Sequence, residues 1–184
     1  MRNRIKMTIA SALALMAIVS TGCDKHDEEE ELITTLKLTV VNKATGAVTT
    51  ATFADPDGDG GNAPTKFDTL RLSSGANYET TVSLYDESTA NVVDLTTEIA
   101  TEANDHQFYY STTASGVSIA TTDTDANGLP LGLKANVSTS SASTGRLQIK
   151  LKHKPDGLKK AGDSDAVGET DIELPLGGFY VVVQ

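Results

Sequence analysis

The sequence predicts an all-β fold, an antiparallel β-sandwich carrying one short helix. Three observations lead there. Apolar and polar residues alternate with period two over much of the chain after residue 31, the pattern of strands with one buried face. Clusters of Gly, Asn, Asp and Ser separate these runs at short intervals, as tight turns require. Threonine recurs throughout, and a β-branched side chain suits a half-buried pleated surface.

Taken in order, Leu36, Leu38 and Val40 alternate with Lys37 and Thr39, and Tyr78, Thr80, Val82 and Leu84 repeat the pattern. Asp94 is placed to cap a helical turn starting at Leu95, with Leu95 and Ile99 on one face and an end near Asn104. Leu131, Leu133, Ala135 and Val137 form another alternating run, and Leu147, Ile149 and Leu151 alternate with Gln148, Lys150 and Lys152. A weak internal repeat links the halves. Ala44-Thr45-Gly46 leads to an acidic loop at Asp55, and Ala114-Ser115-Gly116 leads to a second at Asp123. The expectation is two related four-strand units, residues 32–87 and 106–154, joined by the helix, with strands from residues 170–184 completing the sheets.

The N-terminus reads as an export signal. Arg2, Arg4 and Lys6 are followed by an uncharged apolar run over residues 8–20, too short to span a bilayer, and then by the small residues Ser20, Thr21 and Gly22. Cys23, the only cysteine, comes next and has no partner for an intrachain disulfide. Ser20-Thr21-Gly22-Cys23 resembles a bacterial lipobox, departing from it at Ser20, where Leu is commonest. The resemblance implies cleavage before Cys23, a diacylglyceryl thioether on its sulfur and an acylated (palmitate-type) N-terminus. Several chains anchor a protein stably where one does not. The expected organisation is a lipoprotein signal over residues 1–22, lipidated Cys23 with an acidic tether to residue 31, and a β-sandwich domain over residues 32–184.

Charge narrows the partners. The chain carries a net charge of -10, and removing the signal strips three positive charges and no negative ones, giving -13. Such a surface repels the phosphate backbone, so nucleic-acid binding is disfavoured. No G-x-S-x-G elbow, H-E-x-x-H pair or glycine-rich phosphate loop occurs, and lipid consumes the only thiol. The chain reads as a non-enzyme.

Two groups of residues can hold a cation. Asp55, Asp57, Asp59 with Gly60, and Asp123, Asp125, Asn127 with Gly128, both match the opening of a calcium loop, in which alternate carboxylates converge as the glycine turns the chain. The bidentate Glu of an EF-hand is absent, since Lys66 and Lys134 occupy its position. A looser calcium site and a plain Asp/Gly turn both remain open. The second group is His106 and His153. His106 shares parity with Phe108 and Tyr110, and His153 shares parity with Leu147, Ile149 and Leu151. Both fall at strand ends on the inward face, where a pair of imidazoles can bind zinc or copper with a third ligand from Asp105 or Tyr110. Two unrelated strand-end histidines are the plain alternative. His26 lies in the tether and reads as solvated.

The acidic tether, Asp57-Gly58-Asp59-Gly60-Gly61, Asn77-Tyr78, Glu98-Ile99, His106-Gln107-Phe108, the Asp123 loop, Leu151-Lys152-His153 and Gly168-Glu169-Thr170-Asp171 together resemble small uncharacterised Bacteroidetes-type lipoproteins. Members often carry a type 1 periplasmic-binding label, which this sequence does not support, because alternating βα units are missing. The resemblance implies display on the cell surface at the outer membrane, and service as a ligand- or metal-binding accessory of a TonB-dependent receptor. The alternative expectation is a structural or adhesive module with calcium-stiffened loops.

Overall fold

The computed structural model describes residues 31–184, Asp59 excepted. Two sheets pack face to face with one short helix, the all-β sandwich that the alternation predicts. The strands are β1 (Thr35–Asn42), β2 (Val48–Ala54), β3 (Lys66–Phe67), β4 (Thr69–Leu72), β5 (Asn77–Asp86), β6 (Val93–Asp94), β7 (His106–Thr112), β8 (Val117–Thr121), β9 (Lys134–Thr139), β10 (Ser143–His153), β11 (Glu169–Glu173) and β12 (Phe179–Val183). One sheet runs β3-β2-β1-β5-β9-β8, with β6 beside β5. In the other, β10 pairs with β7 on one side and with β12 and β11 on the other, and β4 joins β12 in parallel.

The period-two residues supply the core. Leu36, Leu38, Val40, Val82 and Leu84 from the first sheet meet Phe108, Leu147, Ile149, Leu151, Phe179 and Val181 from the second, all buried. Each such aliphatic side chain contributes about 1.5–3 kcal/mol relative to exposure. The β1–β2 hairpin is closed by Asn42, whose side-chain oxygen accepts the N–H of Ala44 at 2.9 Å and of Thr45 at 3.1 Å.

The expected division into two four-strand units is not how the sheets form. β4 leaves the first half for the second sheet, while β8 and β9 leave the second half for the first. Alternation marks which residues face inward but not which layer a strand joins. The C-terminal segment decides it for β4: Tyr180 to Val183 pair with Thr69 to Leu72. Gly178 permits β12 to reach β10. Its φ is +92°, and a Cβ there would collide with the Leu147 carbonyl oxygen.

The helix α1 (Thr96–Thr101) stops short of Asn104. Asp94 does receive its first amide, the Thr96 N–H, at 2.9 Å, and Leu95 and Ile99 are buried. Threonine has poor helix propensity, and the Thr101 hydroxyl bonds back to the Thr97 carbonyl at 2.8 Å, competing with further turns.

Candidate metal centre and adjoining cavity

The antiparallel register of β7 and β10 sets Phe108 opposite Leu151 and His106 opposite His153. The inward ladder of apolar side chains thus ends in two imidazoles at one end of the sandwich. His106 is fully buried and His153 nearly so. Their rings stack with centroids 4.6 Å apart and planes 8° from parallel. An imidazole nitrogen offers its lone pair in the ring plane, so two stacked rings do not converge on one ion in this arrangement. The fold brings the two histidines together, but face to face.

His106 has other partners. Its Nδ1 lies 3.2 Å from the Glu102 carbonyl oxygen, and Glu102 Oε2 is 3.9 Å away. A protonated Nδ1 donating to that carbonyl leaves Nε2 as the acceptor, the tautomer of a metal-binding histidine. Nε2 faces Glu31 Oε1 at 3.6 Å and Asp171 Oδ2 at 3.7 Å. The Asp171 side chain is 3 % exposed and that of Glu31 10 %. His106 Nε2, Glu31 Oε2 and Asp171 Oδ2 are buried without a hydrogen-bond partner among the described residues. Glu31, Glu102 and His106 also place one donor atom each within 4.8 Å of one another.

Local structure accounts for each position. Glu102 follows the last turn of α1, four residues before His106. Asp171 sits at a β-bulge: Leu151 pairs with Ile172 but Lys152 pairs with Thr170, so Asp171 is the extra residue, and bulges re-aim side chains in this way. Gly168, with φ +79°, lets the strand enter against β10, where a Cβ would collide with the His153 carbonyl oxygen. Glu31 precedes β1 and turns into the fold. Its place at the end of the acidic tether suggests a solvated side chain, yet nine-tenths of it is buried.

The electrostatics of the group favour positive charge. Burial pushes the Asp171 carboxyl up to about 6, although His106 pulls it down, and the Glu31 charge adds to the push. The His106 imidazole holds Glu31 below its ordinary value against burial. Burial alone would lower His106, but Glu31, the Glu102 carbonyl and Asp171 outweigh it and raise the imidazole.

Neither third ligand expected from sequence joins the group around His106. The Tyr110 hydroxyl donates to the Gly132 carbonyl at 2.5 Å, and burial raises its pKa. Asp105 enters through its carbonyl, which accepts the Lys154 N–H at 2.5 Å. Glu31, Glu102 and Asp171 are not legible in the sequence as neighbours of His106. Period two carries no information about a bulge, and a run of acids carries none about which member turns inward.

Beyond Glu31 and Asp171 lies a cavity of about 970 Å³, walled by the segment entering β1, the glycine-rich loop after β2, and β11 with the turn at Pro175–Gly177. Glu31, Asp55, Asp171 and Glu173 line it, and no Lys, Arg or His does among the described residues.

The acidic loops divide here. Asp55 lines the cavity, while Asp57 Oδ2 accepts both the backbone N–H and the side-chain amide of Asn62, each at 2.7 Å. Asp59 lies outside the described residues. In the second loop Asp123 Oδ1 accepts the Gly132 N–H at 2.9 Å, and Asp125 Oδ1 accepts the N–H groups of Asn127 and Leu129 at 2.8 Å each. Asp125 Oδ2 lies 3.0 Å from Lys159 Nζ, with both side chains buried. The Asn127 amide reaches Asn104 at 3.4 Å.

Cys23, residues 1–22 and residues 24–30 of the tether lie outside the described residues. Among the described residues no helix is long and apolar enough to cross a membrane. Comparison with protein-family models, curated proteins and solved structures finds no significant match to this chain.

Proposed function

We propose that this chain is an exported, lipid-anchored module that binds a divalent transition metal between His106 Nε2, Glu31 and Asp171. The observation that carries the reading is the spacing around Nε2. Separations of 3.6 and 3.7 Å are too long for hydrogen bonds. Each lies close to one His–carboxylate edge of a tetrahedron around zinc, about 3.4 Å for metal–ligand bonds near 2.1 Å, and closing the third edge requires the Glu31 and Asp171 carboxylates to draw together on the ion. Glu102 fixes the ring through Nδ1, as outer partners of metal-bound histidines do. Zinc and copper fit the imidazole-carboxylate donor set. His153 supports the His106 ring by stacking and is not a ligand in this reading.

Calorimetric titration of the mature protein with zinc tests the site. One equivalent should bind, with affinity falling more than about tenfold on Asp171→Asn and at least as far on His106→Gln. His153→Gln should stay near wild type. Wild-type affinity in His106→Gln would falsify the site.

The setting follows from the N-terminal residues. A lipid on Cys23 and the acidic run behind it fit display at the outer membrane, beside a TonB-dependent transporter to which the module passes its cation. Labelling with a palmitate analogue should mark the wild type and not Cys23→Ser, which should also leave the membrane fraction. Label retained in that variant rules the anchor out. Loss of zinc uptake in a strain lacking the module, with receptor levels unchanged, is the outcome expected for the transport role.

A further inference from the structure

The cavity beside the metal centre has properties that a lone ion does not need. Its volume of about 970 Å³ is that of a site for an organic ligand. Its walls offer acceptors, from Glu31, Asp55 and Asp171, and apolar surface, from Leu32, Phe53 and Leu176. Among the described residues no cationic side chain lines it, so a carboxylate or phosphate entering it meets no countercharge from them. Asp171 is more than nine-tenths buried, and its Oδ2 has no hydrogen-bond donor among the described residues. Glu31 Oε2 is in the same position.

Two of the lining leucines are exposed. Leu32 is about half exposed and Leu176 is 77 % exposed. Leu176 also holds φ +56°, a left-handed conformation that a leucine adopts only under constraint from its surroundings.

We propose that this cavity is a binding site for a small organic ammonium ion with an apolar body. The ammonium carries three N–H donors and a positive charge, which match the carboxylates of Glu31, Asp55, Asp171 and Glu173 in the lining. Its apolar body covers Leu32 and Leu176. The inference extends the metal reading, since Glu31 and Asp171 border both sites. It does not depend on His106, which is not in the cavity wall.

Calorimetric titration with three probes of one shape tests it: phenethylamine, 2-phenylethanol and 3-phenylpropionate, against the mature lipidated chain in detergent, with detergent alone as blank. Phenethylamine should bind at least about tenfold more tightly than the alcohol, and the carboxylate should not bind. Asp55→Asn should weaken the amine about fivefold or more and leave zinc affinity unchanged. Leu176→Gly, which removes an exposed side chain and relieves the left-handed leucine, should weaken the amine without loss of fold. His106→Gln should abolish zinc binding and spare the amine. Equal affinity for amine and alcohol, no binding of the amine, or an amine affinity indifferent to both Asp55→Asn and Leu176→Gly overturns the proposal. Loss of zinc binding alone bears only on the metal centre.

Discussion

The two acidic loops share a sequence pattern and differ in what the fold does with it. Around Asp125 the loop is closed. Two backbone amides occupy one carboxylate oxygen, and the ammonium of Lys159 sits 3.0 Å from the other. Lys159 also donates to the Ala103 carbonyl at 2.6 Å. The chain thus supplies its own cation, and the loop serves as an anchor for the segment after β10. Around Asp55 the loop borders a cavity. Asp57 turns to Asn62, and Asp55 faces a cavity with no cationic side chain among its described lining residues. A motif of alternating carboxylates therefore states only that a loop can gather positive charge. Whether a lysine of the chain meets the loop depends on which distant residue packs against it.

The largest effect should come from opening the closed loop. Lys159→Met removes one partner of a buried pair and should cost about 3 kcal/mol in urea denaturation, because Asp125 is left buried and charged. Asp57→Asn, at an exposed side chain, should cost less than about 1 kcal/mol. Equal costs would dissolve the distinction between the loops. The next effect is metal linkage. At a zinc concentration a hundredfold above Kd, wild-type protein should gain about 2.7 kcal/mol in the same measurement. Asp125→Asn should keep that increment and Asp171→Asn should lose about half of it or more.

Acid should separate the loops more weakly. Burial alone would push the Asp125 carboxyl up, but Lys159 and the amides of Leu129 and Asn127 hold it below its ordinary value. A folded-state pKa below the unfolded one contributes stability above an unfolded value of about 4, and that stability disappears as pH falls through the folded value. Unfolding followed between neutral pH and pH 3 should show a steeper acid loss in wild type than in Lys159→Met. The smallest effect is that of calcium. Millimolar calcium should leave the melting curve within error at the Asp125 loop, since Lys159 holds the position. A shift that persists in Asp55→Asn and vanishes in Asp125→Asn would reverse this assignment.

A second buried lysine makes the same point about the segment after β10. Lys154 is fully buried, bonded to the Tyr109 hydroxyl and, at 3.1 Å, to the Ser164 carbonyl, with Asp163 Oδ2 3.0 Å away. The Tyr109 hydroxyl donates to Asp163 Oδ1 at 2.9 Å. Nothing in the run Lys152-His153-Lys154 announces that all three side chains are buried, because strand periodicity allows only every second one to face the core. Here β10 ends at His153, and the chain beyond folds back over it.

Much of the fold is legible in the amino-acid pattern. Leu36, Leu38, Val40, Val82, Leu84, Leu147, Ile149 and Leu151 all lie inside, where the alternation puts them. Asp94, Leu95 and Ile99 mark the helix, though not its end. The parity of His106 and His153 places both on the inward face, and antiparallel register makes them neighbours. The rest of the centre escapes such reading for identifiable reasons. Asp171 is displaced by a bulge, Glu102 lies beyond a helix end, and Glu31 closes a run of acids that are alike in composition.

By itself, the sequence determined an all-β chain and its inward residues, because strand alternation is a local property that survives without knowledge of partners. Only the tertiary structure decided which sheet each strand joins, that the two histidines stack, and that Glu31 and Asp171 face Nε2. Those outcomes depend on pairing registers between segments far apart in the chain. The same physics separates two near-identical acidic loops: Lys159 reaches one of them, and an open cavity adjoins the other.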